Sequence, residues 1–241
     1  MRINRRKIMI IGLFWLGLAI FLYPTISNEI NRYLLKQQIK NYEDFKQDSW
    51  EEARTQEREE KSSILDEMYN EMKAYNEKIY REGQKNLSDP FAYEKPSMNL
   101  ERYGIADNMI AYINIPRMKI ELPIYLGATK ENMKKGAAQL SETSLPIGGP
   151  NTNTVIAAHR GMTSKEMFRH IDKLQLGDEI TITNFWYTLS YKVVEIKIIK
   201  PHEIEKILIQ EGRDLVTLIS CNPYGANYER YLVYCERVEG D

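Results

Sequence analysis

The N-terminus of the chain combines a short basic segment with a long apolar one. Four basic residues lie within the first seven positions, and an uncharged, mainly apolar run follows from Ile8 to Ile26. A helix of that length rises about 28 Å at ~1.5 Å per residue, close to the thickness of the hydrocarbon core of a bilayer. We interpret residues 1–27 as a basic cytoplasmic tip and a retained single-pass anchor. Because positive charge before such a segment stays inside, the rest of the chain is expected to be extracellular. A cleaved secretory signal is the alternative, although no convincing cleavage site follows the run.

The remaining composition argues against several classes of function. The chain has 33 Lys and Arg against 34 Asp and Glu, so it lacks the overall positive charge that attracts nucleic acid. Its two cysteines and three histidines include no CxxC or HxxxH spacing, and we expect no metal site. Neither GxGxxG nor GxxxxGK[ST] occurs, so no nucleotide cofactor is expected.

The segment from 28 to 86 is polar, densely charged and free of proline. Apolar residues recur within it at three- and four-residue steps, which is typical of a helix with one apolar face: Leu65, Met68, Tyr69, Met72, Tyr75 and Ile79. We predict a juxtamembrane helical region, in one or two pieces, whose apolar face packs on the next domain. For residues 28–61, a solvated spacer between membrane and domain is the open alternative.

After Asp89 the sequence changes to short runs rich in β-branched and aromatic residues, separated by prolines. The predicted strands are Met109–Ile115, Ile120–Tyr125, Thr154–His159, Glu179–Thr183, Leu189–Ile199, Leu215–Cys221 and Tyr228–Arg237. Short connecting helices are predicted at Lys165–Lys173 and Glu203–Glu211. This pattern predicts a mainly β domain over residues 99–241, a closed or nearly closed barrel of about eight strands. Residues 87–98 form a separate short segment before it.

Two candidate chemical groups lie where predicted strands end. Cys221 follows the apolar run Leu215–Ser220 and precedes a turn, and His159 follows Val155–Ala158. Thiol chemistry needs a nearby base or acid, so the pair indicates a nucleophilic cysteine. His170 and His202 are interpreted as structural or merely exposed. The order of histidine before cysteine differs from that of papain-like enzymes.

A hairpin argument adds a third residue. If Cys221 faces Tyr228 across a six-residue loop, Arg230 is a diagonal neighbour of Cys221 on the same face, about 7–8 Å away. In the same register Cys235 falls on the opposite face, roughly 23 Å further along the strand at ~3.3 Å per residue, too far for a disulfide. We therefore expect Cys221 to be a free thiol and Cys235 a buried apolar residue.

These residues resemble a known family. Thr217-Leu218-Ile219-Ser220-Cys221 resembles the TLxTC strand of sortases, the cell-wall transpeptidases of Gram-positive bacteria, with Ser220 in place of the usual threonine. Arg230 occupies the family's arginine position, and Ala158-His159-Arg160-Gly161 resembles its histidine strand. The resemblance covers roughly Asn108 to Val238 and implies His159, Cys221 and Arg230 as catalytic residues.

A tripeptide before the barrel points to one class of the family. Asp89-Pro90-Phe91 resembles the Asp-Pro-aromatic lid of class C, pilus-assembling sortases. The resemblance implies that Asp89 pairs with Arg230 while Phe91 lies over the thiol of Cys221. A plain turn is the alternative for so short a motif.

The resemblance implies a function that needs neither cofactor nor metal. A class C sortase cleaves an LPxTG-like sorting signal and joins the thioacyl intermediate to an amine, here a pilin lysine. The expected partners are pilin or surface-protein substrates, the amine acceptor and the membrane. Two alternatives remain open: a housekeeping sortase that anchors proteins to peptidoglycan, and a non-catalytic anchored β-domain that binds wall or pilus components.

Overall fold

The structure is a computed structural model that describes residues 5–56, 64–93, 95–161 and 165–238. Its eight strands are β1 Met109–Ile115, β2 Ile120–Leu126, β3 Ala137–Gln139, β4 Thr152–Ala157, β5 Glu179–Asn184, β6 Thr188–Ile199, β7 Asp214–Asn222 and β8 Glu229–Arg237. They close into a barrel in the order β1-β2-β3-β4-β7-β8-β6-β5. This confirms the predicted closed β-barrel.

The helices are few. The α-helices are α1 Arg5–Gln56, α2 Ile64–Glu82 and α3 Lys130–Lys135, and single 3-10 turns occupy Pro90–Ala92, Glu101–Tyr103, Pro116–Met118, Ile171–Lys173 and Ile204–Ile207. Helix α1 is long and apolar enough to cross a membrane. Its most apolar stretch of 18 residues has a mean hydropathy of 2.1, and none of that stretch is buried. The expected helical region before the barrel is therefore present.

Both predicted connecting helices were too long. Only Ile171–Lys173 of the first is helical among its described residues, because the amide of Phe168 donates to the carbonyl of His159 and ties the segment to the end of β4. Only Ile204–Ile207 of the second is helical. The side-chain amide of Asn153 donates hydrogen bonds to the carbonyls of Ile207 and Leu208, so these carbonyls cannot accept the bonds that would continue the helix.

The strand predictions failed at two places. Strand β3 was not predicted, because none of its three residues, Ala137, Ala138 and Gln139, is β-branched or aromatic. The strand predicted at Thr154–His159 lies two residues earlier, so His159 stands just beyond the end of β4. It follows that the histidine belongs to the barrel rim.

The second half of α1 packs along the barrel. Tyr42 is buried, and its hydroxyl donates to the carbonyl of Ile110 at 3.0 Å, while Trp50 Nε1 donates to the carbonyl of Phe185 at 2.8 Å. These contacts contradict the solvated spacer for this part of the helix. The periodic pattern of polar and apolar residues did not reveal them, because the buried positions are sparse.

Helix α2 buries the apolar face expected from its spacing. Leu65, Met68, Met72 and Ile79 are buried, and the first three belong to the main hydrophobic core that the barrel residues form. Asn76 lies among them, and its side-chain amide exchanges two hydrogen bonds with the backbone of Leu145, at 2.7 and 3.2 Å. Paired buried amides of this kind satisfy polar groups that would otherwise oppose packing.

Candidate active site

Cys221 and Arg230 are directly paired across the β7–β8 hairpin. The register joins Cys221 to Arg230 and Asn222 to Glu229, so the predicted pairing of Cys221 with Tyr228 was wrong by two residues. Directly opposed residues have Cα atoms about 4.5–5.5 Å apart. Because the shift is even, Arg230 keeps the predicted face and comes closer than the diagonal estimate. The Asn222 amide donates to Glu229 at 2.9 Å, which holds this register next to the turn.

His159 reaches the same rim from the other side of β7. Strand β4 is parallel to β7 with Ala157 beside Ile219, so two more residues bring His159 level with Cys221. The hydroxyl of Ser220 donates to the carbonyl of Ala158 at 2.6 Å and fixes this junction. The strand order β4-β7-β8 therefore places the histidine, just after β4, and the arginine, on β8, on either side of the cysteine.

The Asp-Pro-Phe segment lies over this rim. Asp89 accepts two hydrogen bonds from Arg230, at 2.7 Å from Nε and 2.8 Å from Nη2. The Phe91 ring centroid is 4.8 Å from the guanidinium carbon of Arg230 and 5.8 Å from the ring of His159. Pro90 is buried at the start of the turn. Phe91 thus bridges the two residues that flank Cys221.

Burial and charge set the protonation of the cysteine and the histidine. Burial raises the pKa of the Cys221 thiol, the positive charge of Arg230 lowers it, the carboxylate of Asp89 raises it and Arg160 lowers it again. Burial also lowers the pKa of His159. Both shifts favour the neutral forms, so this closed arrangement holds a thiol and a neutral imidazole.

Burial lowers the pKa of Arg230, but its hydrogen bonds and ion pair with Asp89 leave a net rise. The guanidinium is therefore a permanent positive charge at the rim. The side chain of Arg230 is only 6% exposed. Asp89 accepts from its Nε and Nη2 donors, which a substrate carbonyl or carboxylate would otherwise contact.

Arg160 is a further residue of this site, whose role the sequence motif around His159 does not indicate. It is buried, and its Nη1 donates to the side-chain oxygen of Asn222 at 2.7 Å. It also pairs with Asp172 at 3.2 Å and lies 5.4 Å from the ring of Tyr231. Arg160 joins the histidine loop to the residue that follows the cysteine; only its position next to His159 could have indicated this.

The remaining cysteine is buried in the barrel wall, and the other two histidines lie in the connections that follow β4 and β6. Cys235 is buried, pairs with Val216 on β7 and faces the other side of the sheet from Cys221. Both cysteines are free, as predicted. His170 precedes the turn at Ile171, and His202 lies in the β6–β7 connection. Within the described ranges, no group of three or more His, Cys, Asp or Glu side chains could hold a metal ion.

A closed eight-stranded barrel with a cysteine between a histidine and an arginine at one rim is the architecture of a cysteine acyl-transfer enzyme. The sortase domain model matches residues 113–238, and the chain belongs to the sortase family. It is thus a cysteine transpeptidase.

Individual relatives agree with this family. The chain is 28% identical over 159 residues to Sortase D of Bacillus subtilis, covering 65% of this chain and 75% of that protein. It is similar to the structure of Streptococcus agalactiae sortase C1, with 34% identity, a TM-score of 0.66 and coverage of 73% and 90%. For Streptococcus pneumoniae sortase C the values are 35%, 0.60, 70% and 90%. These structural neighbours are class C sortases.

Proposed function

We propose that this sortase is a membrane-anchored pilin polymerase in which Cys221, His159 and Arg230 carry the reaction. The observation behind this proposal is the convergence of the three side chains on adjacent strands beneath the Asp89–Phe91 segment. Neighbours whose names connect them to pili support the choice of pilin as substrate: a similar structure, at 34% identity and a TM-score of 0.65, is the Group B Streptococcus Pilus Island 1 sortase C2.

In the proposed first step, the Cys221 thiol transfers its proton to His159 and the thiolate attacks the Thr–Gly carbonyl of an LPxTG-like signal. The C–N bond breaks, the imidazolium of His159 protonates the leaving glycine amine, and a thioester remains on Cys221. In the second step, a pilin lysine amine attacks the thioester and gives a proton to His159. An isopeptide bond forms and the thiol is regenerated, so atoms and protons balance without a cofactor.

Arg230 is proposed to stabilise the negative charge that develops on the carbonyl oxygen or to orient the substrate backbone. A buried guanidinium is suited to this because its donors are fixed and it stays charged throughout. It can do so only after Asp89 leaves it, since Asp89 holds both Nε and Nη2. We therefore propose that Asp89, Pro90 and Phe91 form a lid that must open before substrate binds.

The proposed topology follows from helix α1. Its basic tip lies on the cytoplasmic side, the segment ending near Ile26 crosses the membrane, and the barrel is extracellular. Protein substrates that are still held in the same membrane then reach the enzyme at its outer surface. The proposed division of the chain is an anchor at residues 1–27, a juxtamembrane helical region at 28–86, a lid segment at 87–98 and the catalytic barrel at 99–241.

The test is a polymerisation assay with the full chain in membranes. We expect a pilin carrying an LPxTG-like signal and a reactive lysine to form covalent ladders, and a reporter that carries only the signal to remain unattached to peptidoglycan. Wall anchoring of the reporter without ladders would instead assign the housekeeping role. No covalent product in either assay would count against both of these roles.

A further inference from the structure

A second concave site lies where the domain meets the membrane-proximal part of α1, beside the β1–β2 turn and at the same end of the barrel as the catalytic rim. It is a groove of about 360 Å³ between α1, the β1–β2 turn and residues 165–167. Its polar lining includes Asn28, Arg32 and Lys36 from the helix, Lys119 from the turn and Lys165. Its walls include the buried side chains of Ile120, Leu122 and Met167. We call this site the foot groove.

The foot groove begins where the apolar part of α1 ends. Asn28 and Arg32 are two and six residues beyond Ile26, or about 3 and 9 Å along a helix at ~1.5 Å per residue. The headgroup layer of one leaflet is about 5–7 Å thick, so the edge of the groove at Asn28 lies within this layer. Ile30, about 6 Å beyond Ile26 at ~1.5 Å per residue, remains exposed, as expected for a part of the helix that is still in contact with lipid. This placement rests on the proposed membrane anchor.

The charge of the foot groove favours an anion. Four basic side chains and two acidic ones, Glu121 and Glu166, line it. Arg32 is already paired with Glu29 at 2.7 Å and Glu166 at 3.3 Å. In the part of the chain that the structure describes, no carboxylate lies within 4.0 Å of Lys36, Lys119 or Lys165.

Lys165 is the most confined of these cations. It is half-buried, burial lowers its pKa, and its ammonium group donates to a backbone carbonyl, that of Lys134. A confined ammonium without a carboxylate is stabilised by any anion that enters beside it. Basic groups above apolar walls match a phospholipid, whose phosphate is attached to an apolar glycerol ester.

We propose that the foot groove binds the phosphate-bearing headgroup of an anionic phospholipid of the outer leaflet, phosphatidylglycerol. The lipid would connect α1 to residues 165–167, which follow His159 by six to eight positions. The groove and the catalytic rim lie at the same end of the barrel, so a lipid bound here sets how close the rim stands to the membrane. The foot groove is thus a lipid site that orients the enzyme toward membrane-held substrates.

The test uses the full chain in nanodiscs made of equal parts phosphatidylglycerol and phosphatidylcholine. After release into detergent, native mass spectrometry counts each lipid retained by the protein. We expect wild type to retain phosphatidylglycerol preferentially and Lys36→Gln/Lys119→Gln to lose that preference by roughly tenfold. The control Lys40→Gln/Lys78→Gln removes two exposed lysines that do not line the groove and is expected to behave as wild type.

Three outcomes would overturn the proposal. The first is an unchanged lipid ratio in the groove variant, and the second is a lack of preference in wild type. The third is an equal gain in thermal stability from inorganic phosphate and from phosphatidylglycerol, because this would identify a site for free anions. Alkaline carbonate extraction of the same proteins tests the anchor separately. A chain that is released from membranes refutes the anchor, whereas a retained chain without lipid preference refutes only the groove.

Discussion

At the scale of single residues, Arg230 connects the resting site to the proposed chemistry. In the closed arrangement both of its forked donors are held by Asp89, and its positive charge lowers the pKa of the neighbouring thiol against the effect of burial. When Asp89 withdraws, the same donors become available to substrate. One guanidinium can therefore serve first the lid and then the transition state.

Arg230→Lys tests whether the reaction needs the two parallel N–H donors of the guanidinium. Lysine keeps the charge but offers a single ammonium in place of two parallel donors, so we expect kcat/KM to fall roughly 10²–10³-fold. The measurement is peptide cleavage and transfer by the full chain, with Arg237→Lys, further along the same strand, as the matched control. Near-normal turnover in Arg230→Lys would remove Arg230 from the site.

Arg160→Gln tests whether Arg160, which donates to the residue after Cys221, positions the catalytic cysteine. Arg160 lowers the pKa of Cys221 and donates to Asn222, so its loss should move the pH midpoint of Cys221 alkylation upward. Arg160→Lys should restore much of the midpoint while leaving transfer slow, because the charge returns without the full geometry. An alkylation midpoint in Arg160→Gln equal to that of wild type and of the exposed control Arg81→Gln would exclude this role.

At the scale of elements, the proposed lid contacts the residues at two strand ends. Asp89 reaches across from the segment after α2 to β8, and Phe91 contacts the guanidinium of β8 and the imidazole after β4. The segment contributes no strand to the barrel, so it can open without breaking the strand pairing. Opening would break the Asp89–Arg230 ion pair, separate Phe91 from both the guanidinium and the imidazole, and expose Pro90.

The lid prediction concerns the pH dependence of thiol labelling. With the lid closed, burial and Asp89 raise the pKa of Cys221, so the reactive thiolate forms only at higher pH. Replacing Asp89 and Phe91 by Ala removes part of both effects and leaves Arg230 and Arg160. The labelling midpoint should therefore move to lower pH, and the rate at pH 7 should rise.

Labelling of Cys221 over a pH series measures this directly, and Lys95→Ala, an exposed residue of the same segment, provides the control. A midpoint and a rate that both match wild type would show that the segment is an ordinary turn.

Much of this element-level picture was predictable, for identifiable reasons. Long alternating strands such as β5 and β6 are clear in the sequence, whereas β3 consists of Ala137, Ala138 and Gln139 and has no pattern of its own. The hairpin register was missed because the pairing of Asn222 with Glu229 depends on the loop, not on strand periodicity. The lid contact came from resemblance; spacing alone gives no reason for Asp89 to meet a residue 141 positions later.

At the scale of the whole molecule, α1 links the proposed anchor to the barrel. Its second half buries Ile39 and Tyr42, and Tyr42 lies 4.7 Å from the ring of Phe185 while donating to Ile110. Domain and anchor are thereby held as neighbours. Such docking orients the catalytic rim in a way that a solvated spacer would not.

Tyr42→Ala should therefore destabilise the entire domain. Removing a buried aromatic side chain costs about 3–5 kcal/mol, and the hydrogen bond to Ile110 is lost with it. In a domain of this size that lowers Tm by roughly 6–20 °C. Tyr33→Ala, exposed on the same helix, is the matched control in thermal unfolding of the full chain. A Tm for Tyr42→Ala equal to the control value would mean that α1 contributes little to the domain.

We propose that the sulfur of Cys221 forms the covalent intermediate, and the intact mass of the full chain tests this. The protein is incubated with an LPxTG-like peptide in the absence of an amine acceptor. We expect a single acyl adduct on wild type and on Cys235→Ala, whose cysteine is buried on the other face, and none on Cys221→Ala. An adduct that persists in correctly folded Cys221→Ala would contradict the account.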